Sequence, residues 1–115
     1  MHIALKRAYL PPDPADGQRL LVDRLWPRGI SKDKLHLSAW LKDVSPSDAL
    51  RHQFHHHDPA LWDQFRRAYF AELDAKPDAV RELRDLIAQG PVTLIYAAKD
   101  TEHNNALALR DYLRQ

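Results

Sequence analysis

Two short segments of the chain concentrate the side chains that could bind or transform a ligand. The first segment is Asp23-Arg24-Leu25-Trp26-Pro27-Arg28-Gly29, and the second is Ala98-Lys99-Asp100-Thr101-Glu102-His103-Asn104-Asn105. Arginine presents a planar pair of donors that fits a phosphate or a carboxylate, and lysine adds a point charge. Histidine exchanges a proton near neutral pH, which allows general acid–base catalysis. These residue types indicate a site for a small anion, with proton transfer as a further option.

The candidate residues divide into two groups by their chemistry. The side chains that could hold the ligand are Arg24, Arg28, Lys99, Asn104 and Trp26. The side chains that could move a proton are His103, Asp23 and Asp100. The second segment also opens a predicted helix, whose free N–H groups and dipole favour an anion. The leading hypothesis is therefore a protein that binds a small phosphate- or carboxylate-bearing ligand, with catalysis left open.

Structural roles are also open to several of these residues. Asp100 or Thr101 could be the N-cap of the last helix, and Glu102 could complement the dipole of that helix. Asp23 and Arg24 are adjacent on a predicted strand, so their side chains point to opposite faces of the sheet. One of those two side chains could therefore form a buried ion pair with another element.

A run of histidines forms a second cluster. His52, His55 and His56 stand three and four residues apart, and His57 follows directly, a spacing that can bind a divalent metal from one helix face. However, the segment His55-His56-His57-Asp58 straddles a predicted helix end, and no Glu or Cys completes a zinc signature. We interpret the run as a solvated patch and assign no metal site.

Missing residue types exclude several classes of chemistry. The 115-residue chain has no cysteine and three glycines. Without cysteine there are no disulfides, thiol nucleophiles or thiolate-bound metals. No Gly-x-Ser-x-Gly motif is present, and the few glycines leave no P-loop or Gly-rich dinucleotide loop. We therefore predict no serine triad and no cofactor.

The charge balance limits the partners that the sequence suggests. Lys and Arg number 17 against 16 Asp and Glu, a net charge of +1 with seven neutral histidines. A nucleic-acid-binding chain would then need a concentrated basic patch. The longest apolar runs, such as Val92–Ala98, are far shorter than the roughly 20 residues that cross a bilayer. With no signal-peptide layout at residues 1–7, we expect a cytoplasmic protein that does not enter a membrane.

A non-catalytic nucleic-acid-binding or regulatory domain is the alternative hypothesis. It would use the arginines of the predicted helices, which are Arg66, Arg67, Arg81, Arg84, Arg110 and Arg114. Trp26 could stack on a base, or it could be a core residue. Acidic residues are interleaved on the same helices, for example Glu72 and Glu82, and they argue against this function.

The hydrophobic pattern predicts one α/β domain over residues 1–115, with three layers and a short, mostly parallel central sheet flanked by helices. The predicted strands are Ile3–Tyr9, Arg19–Leu25 and Pro91–Tyr96, with a short extended piece at Ser38–Leu41. The predicted helices begin at the N-cap Ser45, at Asp58-Pro59, at Asp78 and at Glu102. Ligands of such sheets bind outside the carboxyl ends of the strands. Both polar segments follow a predicted strand and so belong at that edge.

A series of short motifs resembles one bacterial family over essentially the whole chain. The first and last motifs are Val22-Asp23-Arg24-Leu25-Trp26-Pro27-Arg28-Gly29 and Tyr96-Ala97-Ala98-Lys99-Asp100 with His103-Asn104. The motifs between them are Trp40-Leu41-Lys42, Pro46-Ser47, Leu50-Arg51, Phe54, His57-Asp58-Pro59, Trp62, Phe65, Tyr69, Glu72-Leu73 and Val92-Thr93-Leu94. In their order and their residues, these motifs resemble the YeaO-like family, catalogued as domain of unknown function 488.

The resemblance implies an α/β domain with a mostly parallel sheet, and no settled activity. Some wider members of that family carry cysteines in the strand-to-helix loop that corresponds to Ala97–His103. Their layout is similar to the anion-cradling loop of rhodanese-like and phosphatase-like enzymes. Because this chain has no cysteine, the resemblance implies at most the loop geometry and excludes thiol-based transfer.

Overall fold

The computed structural model describes residues 2–54 and 59–115, which fold around a four-stranded parallel sheet. Its strands are β1 (Ile3–Arg7), β2 (Gln18–Leu21), β3 (Ala39–Trp40) and β4 (Val92–Tyr96). Their spatial order is β1-β4-β2-β3, so β4 pairs with both β1 and β2. Every residue of β4 is buried, which fits its continuous apolar run, because a strand covered on both faces needs no polar side.

The two faces of the sheet carry cores of different size. Leu94 pairs with Leu5 on one side and Leu20 on the other, and this face packs into the large core. The next residue, Ile95, points to the opposite face, where it joins a smaller cluster with Leu21. The alternation along β4 therefore divides the molecule into a thick and a thin layer around the sheet.

Helices supply both outer layers. They are α1 (Lys32–Leu35), α2 (Asp48–Phe54), α3 (Trp62–Asp74), α4 (Pro77–Ala88) and α5 (Asn105–Leu113). Helices α2 to α5 contribute to the large core, whereas α1 contributes Leu35 to the small one. The predicted fold class is confirmed: the chain is an α/β domain with a parallel sheet between helical layers.

A buried ionic cluster lies on the thin side of the sheet. The Asp16 carboxylate accepts from Arg19 Nη1 at 2.6 Å and pairs with Lys6 Nζ at 2.8 Å. Asp16 and Arg19 are 7% and 4% exposed, so both charges have left bulk water. Thr93 Oγ1 donates to the Asp16 carbonyl at 2.7 Å and joins the cluster to β4.

The strand boundaries differ from the prediction where side chains replace strand hydrogen bonds. β2 ends at Leu21 and not at Leu25. The Val22 N–H still donates to the Ile95 carbonyl, but the next acceptor is the Asp23 carboxylate, which takes the Ala97 N–H. β1 likewise ends at Arg7 and not at Tyr9.

Two helix starts were also predicted wrongly, because another polar side chain caps the helix. Helix α2 begins at Asp48, and the Ser47 hydroxyl accepts from the Leu50 N–H, so Ser47 and not Ser45 is its cap. Ser47 also donates from its hydroxyl to the Glu72 carboxylate of α3. Helix α5 begins three residues later than Glu102, at Asn105. Asp58, predicted to open the next helix, lies outside the described residues.

Candidate functional site

Asp23 joins the ends of β2 and β4 to the start of α5. Its Oδ2 accepts from the Ala97 N–H at 2.8 Å, and its Oδ1 accepts from Asn105 Nδ2 at 2.9 Å. Asn105 Nδ2 also donates to the Val22 carbonyl at 2.8 Å. The two polar segments therefore meet at one edge of the sheet, as parallel strand ends require.

The electrostatics of Asp23 reflect this central position. Burial raises the pKa of its carboxyl above the ordinary 3.8, although the hydrogen bonds from Asn105 and Ala97 and the charge of Arg51 act in the opposite direction. Trp40 Nε1 donates to the backbone carbonyl of Asp23 at 2.6 Å and fixes the main chain as well. Through these hydrogen bonds, Asp23 connects the ends of two strands to α5 at the edge of the sheet.

A cleft of about 580 Å³ opens at this edge, within the usual size range of small-molecule sites. Six of the residues singled out from the sequence line it: Asp23, Arg24, Trp26, Arg28, His103 and Asn104. Lys99 and Asp100 lie outside its lining. Six of the eight candidate residues thus border this cleft at the carboxyl edge of the sheet, and two do not.

Two arginines in the lining retain an unneutralised charge. Half-buried Arg24 donates from Nε to the Pro46 carbonyl at 3.1 Å and from Nη2 to the Ser45 carbonyl at 3.3 Å. Neither carbonyl carries a full charge, and within residues 2–54 and 59–115 Arg24 has no carboxylate partner. The suggested buried ion pair for this segment is therefore wrong. Arg28 is exposed, and its guanidinium makes no hydrogen bond or ion pair among the described residues.

A third arginine, Arg51 of α2, also lines the cleft and was not among the sequence candidates. Its Nη1 lies 2.8 Å from the carboxylate of Asp48, one turn earlier on the same helix. This pair neutralises part of its charge, so Arg24 and Arg28 remain the stronger attraction for an anion. Only the family motif Leu50-Arg51 singled this residue out in the sequence.

His103 and Asp100 form a local pair in the loop before α5. Asp100 Oδ1 accepts from the N–H groups of Glu102 at 2.8 Å and His103 at 3.0 Å, and Oδ2 lies 3.2 Å from His103 Nδ1. The Glu102 N–H, followed by the contacts with His103, lowers the pKa of Asp100 below 3.8. An ionised Asp100 can only accept, so Nδ1 is the donor and Nε2 is left for other partners.

Asn104 is the N-cap of α5, whereas the sequence suggests Asp100 or Thr101 for this role. Its Oδ1 accepts from the Leu107 N–H at 2.8 Å, and its Nδ2 donates to the Asp100 carbonyl at 3.1 Å. The residue is 2% exposed. Both ends of the side-chain amide are therefore occupied by the fold.

Trp26 packs against the smaller core, whereas Lys99 is exposed to solvent. Trp26 Nε1 donates to the Ile30 carbonyl at 2.6 Å, and its ring packs edge-to-face on Trp40 with centroids 5.4 Å apart. The Trp26 ring thus belongs to the smaller core while one part borders the cleft. Lys99 is exposed in the loop after β4.

A row of aromatic rings forms the part of the lining that sequence reasoning missed. Phe65 contacts Phe54 edge-to-face and stacks on Trp62 at an interplanar angle of 21°, with both centroid distances 5.7 Å. Trp62 meets His103 edge-to-face at 5.2 Å. We call Phe54, Phe65, Trp62 and His103 the aromatic row. The helical spacing of Trp62 and Phe65 is typical of a core face, but only one side of each half-buried ring packs against the core.

The histidine run is only partly described by the structure. His52 is exposed and lines the cleft, whereas His55, His56 and His57 lie outside the described residues. Over 2–54 and 59–115, no three His, Asp or Glu side chains lie close enough together to hold a metal ion. In the same ranges no helix has the length and apolar character needed to span a membrane.

Three of the six arginines considered for nucleic-acid binding contact other residues of the same fold. Arg66 pairs with Asp111 at 3.4 Å, and Arg81 pairs with Asp78 at 3.2 Å. Arg84 donates to the Leu113 carbonyl at 3.1 Å. The two ion pairs neutralise part of the positive charge on these helices, whereas Arg84 keeps its charge.

Comparison with known proteins identifies the family. The chain matches the family described as "Inactive DUF488-N3 subclade" over residues 2–115. It belongs to the DUF488 family. It is 46% identical to the uncharacterized protein YeaO of Escherichia coli (strain K12), covering 99% of this chain and 98% of that one. It is 40% identical to the uncharacterized protein Rv3073c of Mycobacterium tuberculosis (strain ATCC 25618 / H37Rv), covering 96% and 92%. No solved structure matches this DUF488 chain.

Proposed function

We propose that this DUF488 protein binds a small anionic ligand, phosphate- or carboxylate-bearing, in the cleft at the carboxyl edge of its sheet. The observation that carries the proposal is half-buried Arg24, whose two partners are uncharged carbonyls. A guanidinium that has lost part of its water without gaining a carboxylate favours an incoming anion. The exposed guanidinium of Arg28, which makes no hydrogen bond or ion pair among the described residues, is a second donor group that lines the same cleft.

Binding without turnover is the form of the function that we favour. The family description carries the word "Inactive". The chain also has no cysteine, so a thiol nucleophile is not available to it. Both observations support a role as a binding or sensing protein.

A catalytic role for His103 is the second candidate. Asp100 holds Nδ1 of His103, which leaves Nε2 of a cleft-lining ring for a water or a ligand. With a phosphate ester, Nε2 would take a proton from the water that attacks phosphorus. As the bond between phosphorus and the ester oxygen breaks, the imidazolium would return that proton to the leaving alkoxide, which gives inorganic phosphate and an alcohol. Release of phosphate by the wild-type protein, lost in His103→Ala, would favour this candidate over binding alone.

The test is calorimetric titration of the wild type and of Arg28→Ala with inorganic phosphate, sulfate and acetate. We expect phosphate or acetate to bind the wild type, which also separates the two anion classes. Arg28→Ala should weaken that binding about tenfold or more, because a hydrogen bond to a charged group is worth about 1.5–3 kcal/mol. The folded state should be unaffected, since the guanidinium contacts no other described group.

Arg67→Ala is the matched control, because it removes the same charge from another exposed position that lies outside the cleft lining. Its affinity for the anion should equal that of the wild type. Lys99→Ala should change the affinity less than twofold, because Lys99 does not line the cleft. Equal weakening by all three substitutions would mean a diffuse charge effect, and absence of any anion binding would refute the proposal.

A further inference from the structure

Resting on the proposed function, we infer that the ligand of this cleft carries its anion on a flat aromatic or heteroaromatic group. The inference joins two parts of one lining. Arg24 and Arg28 come from the segment after β2, and the aromatic row comes from α2, α3 and the loop before α5.

The geometry of the aromatic row gives it the properties of a stacking surface. Each ring contacts the next, through centroid distances of 5.2 to 5.7 Å, from Phe54 through Phe65 and Trp62 to His103. Edge-to-face and offset contacts at such distances are the preferred arrangements of aromatic pairs. Neighbouring rings therefore hold one another in place, and a ligand ring would meet a surface that is already organised.

Only part of this row is used by the core. Phe54, Trp62 and Phe65 pack against the large core, yet each is only half-buried and each lines the open cleft. By contrast, the ring of Tyr69, one turn beyond Phe65 on α3, is fully buried, and its hydroxyl donates to the Val44 carbonyl. The row thus leaves aromatic surface in contact with water at the place where a ligand would sit.

The arginines and the aromatic row require different parts of the ligand, an anionic group and a flat ring. A bare anion would pair with Arg24 and Arg28 but would leave the aromatic row exposed to solvent. A neutral aromatic compound would cover the row but would leave the charge of Arg24 without a counter-ion. An aryl phosphate or an aryl carboxylate satisfies both, and the volume of about 580 Å³ accommodates a molecule of that size.

The experiment compares phenyl phosphate, cyclohexyl phosphate and inorganic phosphate by calorimetry. The two esters match in charge and approximate size, so their difference reports the flat ring. We expect phenyl phosphate to bind about tenfold more tightly than cyclohexyl phosphate. Benzoate against cyclohexanecarboxylate repeats the comparison for carboxylates and shows which anion the cleft prefers.

Trp62→Leu tests the row while it keeps an apolar side chain at that position. It should remove the preference for phenyl phosphate and leave the affinity for inorganic phosphate unchanged. If this variant does not fold, the wild-type protein gives an independent readout by nuclear magnetic resonance. The ring protons of bound phenyl phosphate should shift upfield, because the rings of the row lie against them, and unshifted ring protons would contradict stacking on the row.

The outcomes separate this inference from the proposed function. Equal affinities for the phenyl and cyclohexyl esters, both weakened by Arg28→Ala, would overturn the aryl preference and leave the anion site standing. Failure of every anion to bind would overturn both. A phenyl preference that Trp62→Leu does not reduce would also overturn the inference, because the ring would then be recognised elsewhere.

Discussion

The two arginines of the cleft show how much a residue type can predict. The sequence identified Arg24 and Arg28 as anion-binding candidates because a guanidinium suits a phosphate or a carboxylate. It did not predict that Arg24 would be held by the carbonyls of Ser45 and Pro46, which lie 21 and 22 residues further along the chain. A contact between residues so far apart depends on the packing of α2 beside the sheet edge. No pattern of neighbouring residues in the sequence predicts it.

The buried carboxylate of Asp16 makes a prediction at the same scale. Replacing it by Asn should cost about 3–5 kcal/mol in the free energy of unfolding, because Arg19 would keep a buried charge without its partner. Asp78→Asn is the control and should cost less than about 1 kcal/mol, since its pair with Arg81 is exposed. Urea unfolding at pH 7 measures both, and equal losses would contradict the role of burial.

The same carboxylate sets an expected pH dependence. Burial would raise the pKa of Asp16, but the hydrogen bonds from Lys6, the Asp13 N–H and Arg19 outweigh it and hold the pKa below 3.8. A lowered folded-state pKa stabilises the protein above the unfolded-state pKa, and the effect is lost as the pH falls through the folded value. The stability difference between wild type and Asp16→Asn should therefore be constant near neutrality and shrink below about pH 4. A difference that grows on acidification would contradict this assignment.

At the scale of elements, most strands and helices were predicted correctly and their ends poorly, and the short helix α1 was not predicted. Strand β4 and helix α4 agree with the sequence pattern, because buried positions carry apolar residues at regular spacing. β4 is a continuous apolar run, and Val80, Leu83 and Ile87 of α4 fall at helical spacing. The start of α5 was wrong because Asp100 engages the Glu102 and His103 N–H groups in a turn of its own. Such side-chain-to-backbone bonds compete with a helix and carry no periodicity.

Gly17 at the start of β2 makes a prediction for the joining of elements. Its φ is +62°, and a Cβ there would lie 2.3 Å from the Pro91 carbonyl oxygen that accepts the Gln18 N–H. Gly17→Ala should cost roughly 2–4 kcal/mol, because backbone strain and forced separation of β2 from β4 both contribute. Gly29→Ala is the control, since its φ of +83° brings strain but no atom lies within 4 Å of the added Cβ. Thermal unfolding should show the larger loss for Gly17→Ala, and equal losses would contradict the steric argument.

At the scale of the molecule, the net charge of +1 concealed a local excess of positive charge. The described cleft lining holds three arginines and one aspartate, and that aspartate is engaged by Ala97 and Asn105. Composition could therefore limit nucleic-acid binding as a hypothesis but could not locate a small cationic site. The parallel-sheet rule located it, because it brings the ends of β2 and β4 together whatever the total charge.

The position of β4 has a consequence for how the protein is made. This strand lies in the interior of the sheet, yet it is the last of the described strands along the sequence. Among the described strands, β1 pairs with β4 alone, and β2 otherwise has only the two-residue strand β3. Until β4 is synthesised, the edges of β1 and β2 that pair with it have no partner. Unpaired strand edges in a nascent chain favour aggregation and engage chaperones. A fragment of residues 1–90 should remain largely unfolded by circular dichroism, and a cooperative thermal transition in that fragment would show that the sheet does not depend on its last strand.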